Sequence, residues 1–149
     1  MKLLVVCLMT HYALANLLPA PWWLPDLTLA GLAVAIAEAP QRWLAFALVA
    51  ASSTVLWTIR DTGLTFSGLL AAGWVLCLCA GQWDLTDQRV LRLSASAVTA
   101  GLPGLVLWAH GWWSWPLALM WLVHAALTGV SAGLIGRFAA APRASSSVP

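Results

Sequence analysis

Charge is what this 149-residue sequence lacks most: Asp, Glu, Lys and Arg make up only 8% of it. A typical soluble domain carries about 25% charged residues. Seven basic and five acidic residues are too few to cover the surface of a water-soluble protein of this length. The arginines stand singly between apolar runs and form no basic stripe, so the charge pattern does not favour nucleic-acid binding. We therefore expect lipid to cover much of the surface.

Motifs for catalysis and for cofactor binding are also missing. The sequence contains no nucleophile elbow, phosphate-binding loop, zinc-hydrolase motif or dinucleotide fingerprint. Its three cysteines, Cys7, Cys77 and Cys79, lie inside apolar runs, and the spacing of the last two is not that of a redox or zinc motif. We predict a protein that is not an enzyme, with no catalytic residue, metal site or cofactor.

Apolar length is what the sequence has in abundance, with 62% hydrophobic residues and 11 tryptophans. A membrane-spanning helix needs about 20 mostly apolar residues. Breaks at proline, glycine and charged residues divide the chain into six such segments, over residues 3–18, 24–37, 43–59, 64–81, 90–108 and 113–136. We predict an all-α protein, a six-helix transmembrane bundle formed by residues 1–138, followed by a disordered tail over residues 139–149.

The distribution of basic residues tests this count, because Lys and Arg accumulate in cytoplasmic loops. With six spans and a cytoplasmic N-terminus, six of the seven basic residues lie inside and only Arg60 lies outside. Those six are Lys2, Arg42, Arg89, Arg92, Arg137 and Arg143. If the short segment 24–37 did not cross, the division would be four against three. The asymmetry favours six spans with both termini in the cytoplasm.

Polar side chains inside the apolar segments are the first candidates for function, because each costs free energy unless it is paired or hydrated. Asp26 stands near the start of the second segment, and two interpretations remain open. It could be an interfacial carboxylate that stabilises a helix N-terminus. Alternatively, it could form a proton or metal relay with His11 or His124. Neither histidine has a ligand-like spacing, so we expect hydrogen-bonding roles for both.

Small residues indicate close helix packing in two segments. Gly129 and Gly133 form a GxxxG pattern that Gly136 extends. The fifth segment carries a small-residue surface made of Ser94, Ala95, Ala97, Ala100 and Gly101. Such faces let backbones approach, either within the bundle, which we favour, or against another membrane protein.

Three short patterns in the first half of the chain carry a family resemblance. They are PWWLPDL at residues 21–27, APQR at 39–42 and DTGL at 61–64, each at the start or end of an apolar helix. With the length and the predicted topology, they resemble the bacterial rod shape-determining protein MreD family. Members usually carry an aspartate near the end of the third helix, where this chain has Trp57, and Asp61 follows four residues later.

The resemblance implies a non-enzymatic component of the cell-shape and peptidoglycan elongation complex in the bacterial inner membrane. It implies binding to an MreC-like bitopic partner, and coupling of the MreB cytoskeleton to membrane peptidoglycan synthases. Together with the packing pattern, it makes six residues candidates for function: Pro25, Asp26, Arg42, Asp61, Gly129 and Gly133.

A second class of function is compatible with the same topology. The substrate-binding membrane subunits of energy-coupling-factor vitamin transporters resemble this layout and size. A subunit of that kind would need a polar pocket near the outer face, for which Asp26, Asn16 and the outer tryptophans are available.

Overall fold

The computed structural model describes residues 1–17, 24–57, 62–109, 111 and 114–140. Within this part of the chain it contains six α-helices and no β-strand, which confirms the all-α prediction. The helices are α1 (Lys2–Leu17), α2 (Leu27–Glu38), α3 (Trp43–Trp57), α4 (Thr62–Gln82), α5 (Gln88–Ala109) and α6 (Trp115–Ala140). A 3-10 turn, Pro40–Arg42, joins α2 to α3.

Two helices in the described part of the chain are long and apolar enough to cross a membrane. Thr65–Gln82, within α4, has a mean hydropathy of 1.4, and an 18-residue stretch of α6 has a mean hydropathy of 1.7. The helices α1 and α2 are apolar but shorter, with 16 and 12 residues. Length and composition thus make α4 and α6 candidate spanning helices.

The second helix is shorter than the sequence predicts. It begins at Leu27 rather than at residue 24, because Asp26 acts as its N-cap: the Asp26 side chain accepts a hydrogen bond from the Leu29 N–H at 3.0 Å. The helix ends at Glu38, ahead of Pro40. Its 12 residues extend only about 18 Å, less than the roughly 30 Å of a bilayer's hydrocarbon core.

This short helix lies at the centre of the bundle and contacts each of the other five helices. Every residue from Thr28 to Ile36 except Leu29 is buried. Large buried side chains from the surrounding helices, among them Leu4, Phe46 and Leu76, complete the core. Because small residues dominate its sequence, α2 can be surrounded on all sides at short interhelical distances.

The far end of α6 changes one predicted boundary. The predicted tail begins at residue 139, but α6 continues through Ala140. Residues 141–149, the rest of that tail, lie outside the described residues.

Candidate functional site

The N-terminus of α2 meets the middle of α6. The backbone N–H of Asp26 donates a hydrogen bond to Thr128 Oγ1 at 2.9 Å. The Thr128 hydroxyl in turn donates to the His124 carbonyl oxygen at 3.0 Å. Thr128 is fully buried, at 0% exposure, and lies halfway along α6. The start of α2 is therefore held at mid-height in the bundle, inside the protein.

Helices α1 and α3 add hydroxyl groups at the same height. The Tyr12 side chain interacts with Thr54, and it lies close enough to Asp26 for the charge of that carboxylate to act on it. The packing of α1 against α2 explains this level: a Cβ on Gly31 would lie 2.8 Å from Cys7 Cβ. Tyr12 follows Cys7 at the same interval at which Asp26 precedes Gly31, so the two antiparallel helices bring Tyr12 and Asp26 to one height.

Two polar atoms near this point have no hydrogen-bond partner in the described part of the chain. They are Thr28 Oγ1, on a side chain only 2% exposed, and His124 Nδ1. Buried polar atoms are nearly always partnered, so two at one level are unusual. We call this group the mid-height polar cluster: Tyr12, Asp26, Thr28, Thr54, His124 and Thr128.

The cluster has the chemistry of a binding site and lacks the composition of a metal centre. It carries one carboxylate, four hydroxyls and an imidazole, and the two atoms without a partner, Thr28 Oγ1 and His124 Nδ1, can form hydrogen bonds to a small polar molecule. Among the described residues, no group of three or more His, Cys, Asp or Glu side chains is placed to hold a metal ion.

The two interpretations of Asp26 can now be compared with its position. It does cap a helix N-terminus, in agreement with the first interpretation. The hydrogen bond from its N–H to Thr128 places it beside the middle of α6, and the interfacial location stays a prediction. Pro25, which is half-buried, lies in the non-helical backbone just ahead of it. A proline disfavours helical geometry in the residue before it, and so helps to keep this stretch out of α2.

The remaining candidates from the first half of the chain do not join Asp26. Arg42 is exposed in the 3-10 turn, beyond the opposite end of α2. The length of α2 thus separates Asp26 from Arg42, so the two residues do not form one site. Asp61 lies outside the described residues.

Gly129 and Gly133 lie in a close contact between α5 and α6. A Cβ on Gly129 would clash with Ser96 Oγ and lie 2.6 Å from the Arg92 carbonyl oxygen. A Cβ on Gly133 would lie 2.7 Å from Arg92 Cγ. One turn further along, Arg137 Nε donates to Gln88 Oε1 at 2.7 Å. The α5–α6 seam is the set of these six residues: Gln88, Arg92 and Ser96 of α5, and Gly129, Gly133 and Arg137 of α6.

A second face of α5, about 100° around the helix from the seam, borders a groove. Between α4 and α5 there is a lateral opening of about 570 Å³. Its lining includes Val75 and Cys79 of α4, Trp83 just beyond the end of α4, and Leu93, Ala97 and Gly101 of α5. Ala97 and Gly101, one turn apart, are both exposed. We call this opening the α4–α5 groove.

The loop between α4 and α5 is closed by short-range hydrogen bonds. The Asp84 carboxylate accepts hydrogen bonds from the Thr86 hydroxyl at 2.6 Å and from the Thr86 N–H at 2.9 Å. These bonds lower the pKa of Asp84 below its ordinary value, because they favour the ionised carboxylate. Asp87 accepts from the Arg89 N–H at 2.8 Å and so stabilises the start of α5.

Several of these residues could not be identified from the sequence. Thr128 lies four residues after His124, and that spacing predicts that the two residues share one face of a helix. In the sequence Arg92 indicates only topology, whereas its side chain lies against α6 at Gly133.

Comparison of the chain with protein-family models, with curated proteins and with solved structures found no match. The chain's own residues therefore carry the functional argument.

Proposed function

We propose that this chain is a six-span inner-membrane protein without enzymatic activity that holds an MreC-like bitopic partner in a cell-shape and peptidoglycan elongation complex. In this proposal both termini are cytoplasmic. The resemblance of residues 21–27, 39–42 and 61–64 to the MreD family supports the complex. The six-to-one distribution of basic residues supports the orientation.

The surface of α6 supports contact with lipid. Large apolar side chains are exposed along much of its length: Leu119, Leu122, Val123, Leu127, Val130 and Leu134. Soluble monomers rarely expose a continuous apolar strip of this extent. In the bilayer this strip faces acyl chains, and α2 extends from mid-depth to the cytoplasmic side with Asp26 in the interior.

The observation that carries the partner-binding role is the α4–α5 groove. Its α5 wall exposes Ala97 and Gly101 in a small-xxx-small spacing, which lets another helix backbone approach closely. The GxxxG face of α6 is already occupied by α5. The groove lies within the apolar part of the bundle, so a transmembrane helix of a bitopic protein is an occupant of matching chemistry.

Co-purification in mild detergent tests this role. The tagged chain is expressed with its candidate bitopic partner as wild type, as Gly101→Val and as Gly81→Val. A Cβ added at either glycine would meet no atom within 4 Å, so both variants should fold. We expect Gly101→Val to lower partner recovery about tenfold and Gly81→Val, away from the groove lining, to leave it unchanged. Equal recovery with all three chains would contradict the groove as the binding surface.

The mid-height polar cluster favours a second candidate function. A carboxylate, hydroxyls and unpartnered polar atoms at membrane depth are features of solute sites. A substrate-binding subunit of an energy-coupling-factor-type vitamin transporter would use them to bind its solute. Native mass spectrometry of the purified chain tests this: a bound small molecule that is lost in Asp26→Asn would support the transporter. A ligand-free wild-type chain that retains its bitopic partner would overturn it.

A further inference from the structure

The α5–α6 seam is a ladder of three matched levels. Ser96 faces Gly129, Arg92 faces Gly133, and Gln88 faces Arg137. On each helix the members recur at intervals of four residues, so each level is one turn from the next. Two arginines therefore stand on one seam, separated by about 5.4 Å along the helix axes.

The Arg92 side chain is fixed by its surroundings. Its Cγ, Cδ and Nε pack against Gly133, where any larger residue would displace it. Its Nε is buried and has no hydrogen-bond partner among the described residues. A guanidinium has five N–H donors and no acceptor, and no hydrogen bond joins the Arg92 side chain to another described residue, so an anion at its terminal amino groups would supply the missing acceptor.

Arg137 lies at the level of the seam next to that of Arg92. Its Nε donates to Gln88 Oε1, which leaves the two terminal amino groups of the guanidinium free to bind an anion. The side-chain amide of Gln88 adds a neutral donor. Two guanidinium groups one turn apart repel each other, and that repulsion becomes attraction when an anion lies between them.

The neighbouring acidic residues are engaged elsewhere. Asp87, adjacent to Gln88, accepts from the Arg89 N–H, and Asp84 accepts from Thr86. Their carboxylates therefore stabilise the loop ahead of α5, and neither accepts a hydrogen bond from Arg92 or Arg137.

We propose that Gln88, Arg92 and Arg137 form a phosphate-binding site at the end of the α5–α6 seam. In the six-span orientation, on which this inference rests only for the source of the ligand, the site lies at the cytoplasmic headgroup layer. Basic pockets between transmembrane helices on that side bind anionic lipid headgroups. The same chemistry would accept inorganic phosphate, so the test has to separate the two sources.

Thermal unfolding of the full chain in neutral detergent, followed by tryptophan fluorescence, makes that separation. Phosphatidylglycerol, phosphatidylcholine and inorganic phosphate are titrated in parallel. We expect phosphatidylglycerol to raise the unfolding midpoint and phosphatidylcholine to leave it unchanged. Arg137→Gln and Arg92→Gln should each weaken the phosphatidylglycerol response about fivefold. A rise with inorganic phosphate alone would identify the free anion as the ligand and retain the site.

Matched variants keep the inference falsifiable. Arg42→Gln removes an exposed arginine of the same predicted membrane face that lies outside the seam, and it should keep the full response. A loss in Arg42→Gln equal to that in Arg137→Gln would show diffuse surface attraction and overturn the site. If Arg92→Gln does not fold, Arg92→Lys replaces it, because lysine retains the charge. Arg137→Gln and Gln88→Ala then test the site at the level of Arg137, which is exposed. The titration contains no partner protein, so a failure of partner co-purification does not affect its outcome.

Discussion

Two faces of α5 carry small residues, Ser96 on one and Ala97 and Gly101 on the other, and have different neighbours. On one side, Ser96 and the turn at Arg92 meet Gly129 and Gly133 of α6, and the backbones are in contact. On the other side, Ala97 and Gly101 remain exposed beside the α4–α5 groove. A small-residue pattern on one helix therefore predicts only that a close approach is possible.

The neighbouring helix decides whether that approach takes place within the chain. Helix α6 offers glycines at the matching levels, so it can lie directly on α5. Val75 and Cys79 of α4, with Trp83 just beyond it, line the groove that lies between α4 and this face of α5. The closed side is a structural contact, and the open side is the surface available to a partner.

The largest effect should come from closing the glycine contact with a side chain. We expect Gly129→Val to destabilise the protein by about 3 kcal/mol, because its Cβ meets the Arg92 backbone, which cannot move aside cheaply. Gly101→Val, on the side of α5 that borders the α4–α5 groove, should change the free energy of unfolding by less than about 0.5 kcal/mol. Denaturant unfolding in detergent measures both. Equal losses of stability in the two variants would contradict the distinction between the closed and the open side of α5.

A somewhat smaller effect is expected where α6 contacts α2 instead of α5. Thr128→Val removes the acceptor of the Asp26 N–H and should cost about 2 kcal/mol. Thr128→Ser retains the hydroxyl and should lose less than half of that. A wild-type-like unfolding curve for Thr128→Val would mean that the hydrogen bond from Asp26 to Thr128 does not stabilise the contact between α2 and α6.

The N-cap of α2 should contribute less again. Asp26→Ala removes the hydrogen bond to the Leu29 N–H and should destabilise the chain by about 1 kcal/mol. Asp26→Asn retains a capping oxygen and should be close to wild type in the same unfolding assay. A large loss in Asp26→Asn would show that the negative charge, rather than the cap, matters at mid-height.

The smallest effect concerns the loop between α4 and α5, which joins the two helices that border the groove. Because the Thr86 hydroxyl lowers the pKa of Asp84, this contact stabilises the fold above the ordinary carboxyl pKa of 3.8 and is lost as pH falls through the lower folded value. We therefore expect the unfolding temperature of Thr86→Val to lie slightly below that of wild type at neutral pH, with a difference that shrinks as pH falls below 3.8 and vanishes once Asp84 is protonated in the folded chain. Thr86→Ser should match wild type throughout. A difference independent of pH would exclude the Asp84 contact as its cause.

The sequence is sufficient for features that depend on local pattern. Proline, glycine and charged residues mark the helix ends within a few positions, and Asp26 is a recognisable cap. Heights within the bundle are not predictable, because the partner of the Asp26 N–H is Thr128, far away in the chain. The same limit applies to Arg92, whose role depends on which glycine of α6 faces it.

Site-specific photo-crosslinking from two exposed leucines tests the open side of α5 most directly. Leu93 lines the groove and is 71% exposed, and Leu122 lies on α6 and is 59% exposed. A photoreactive amino acid is placed at one position or the other in cells that contain the bitopic partner. The partner should be crosslinked from Leu93 and not from Leu122. Crosslinking from Leu122 alone would contradict the assignment of the α4–α5 groove as the binding surface.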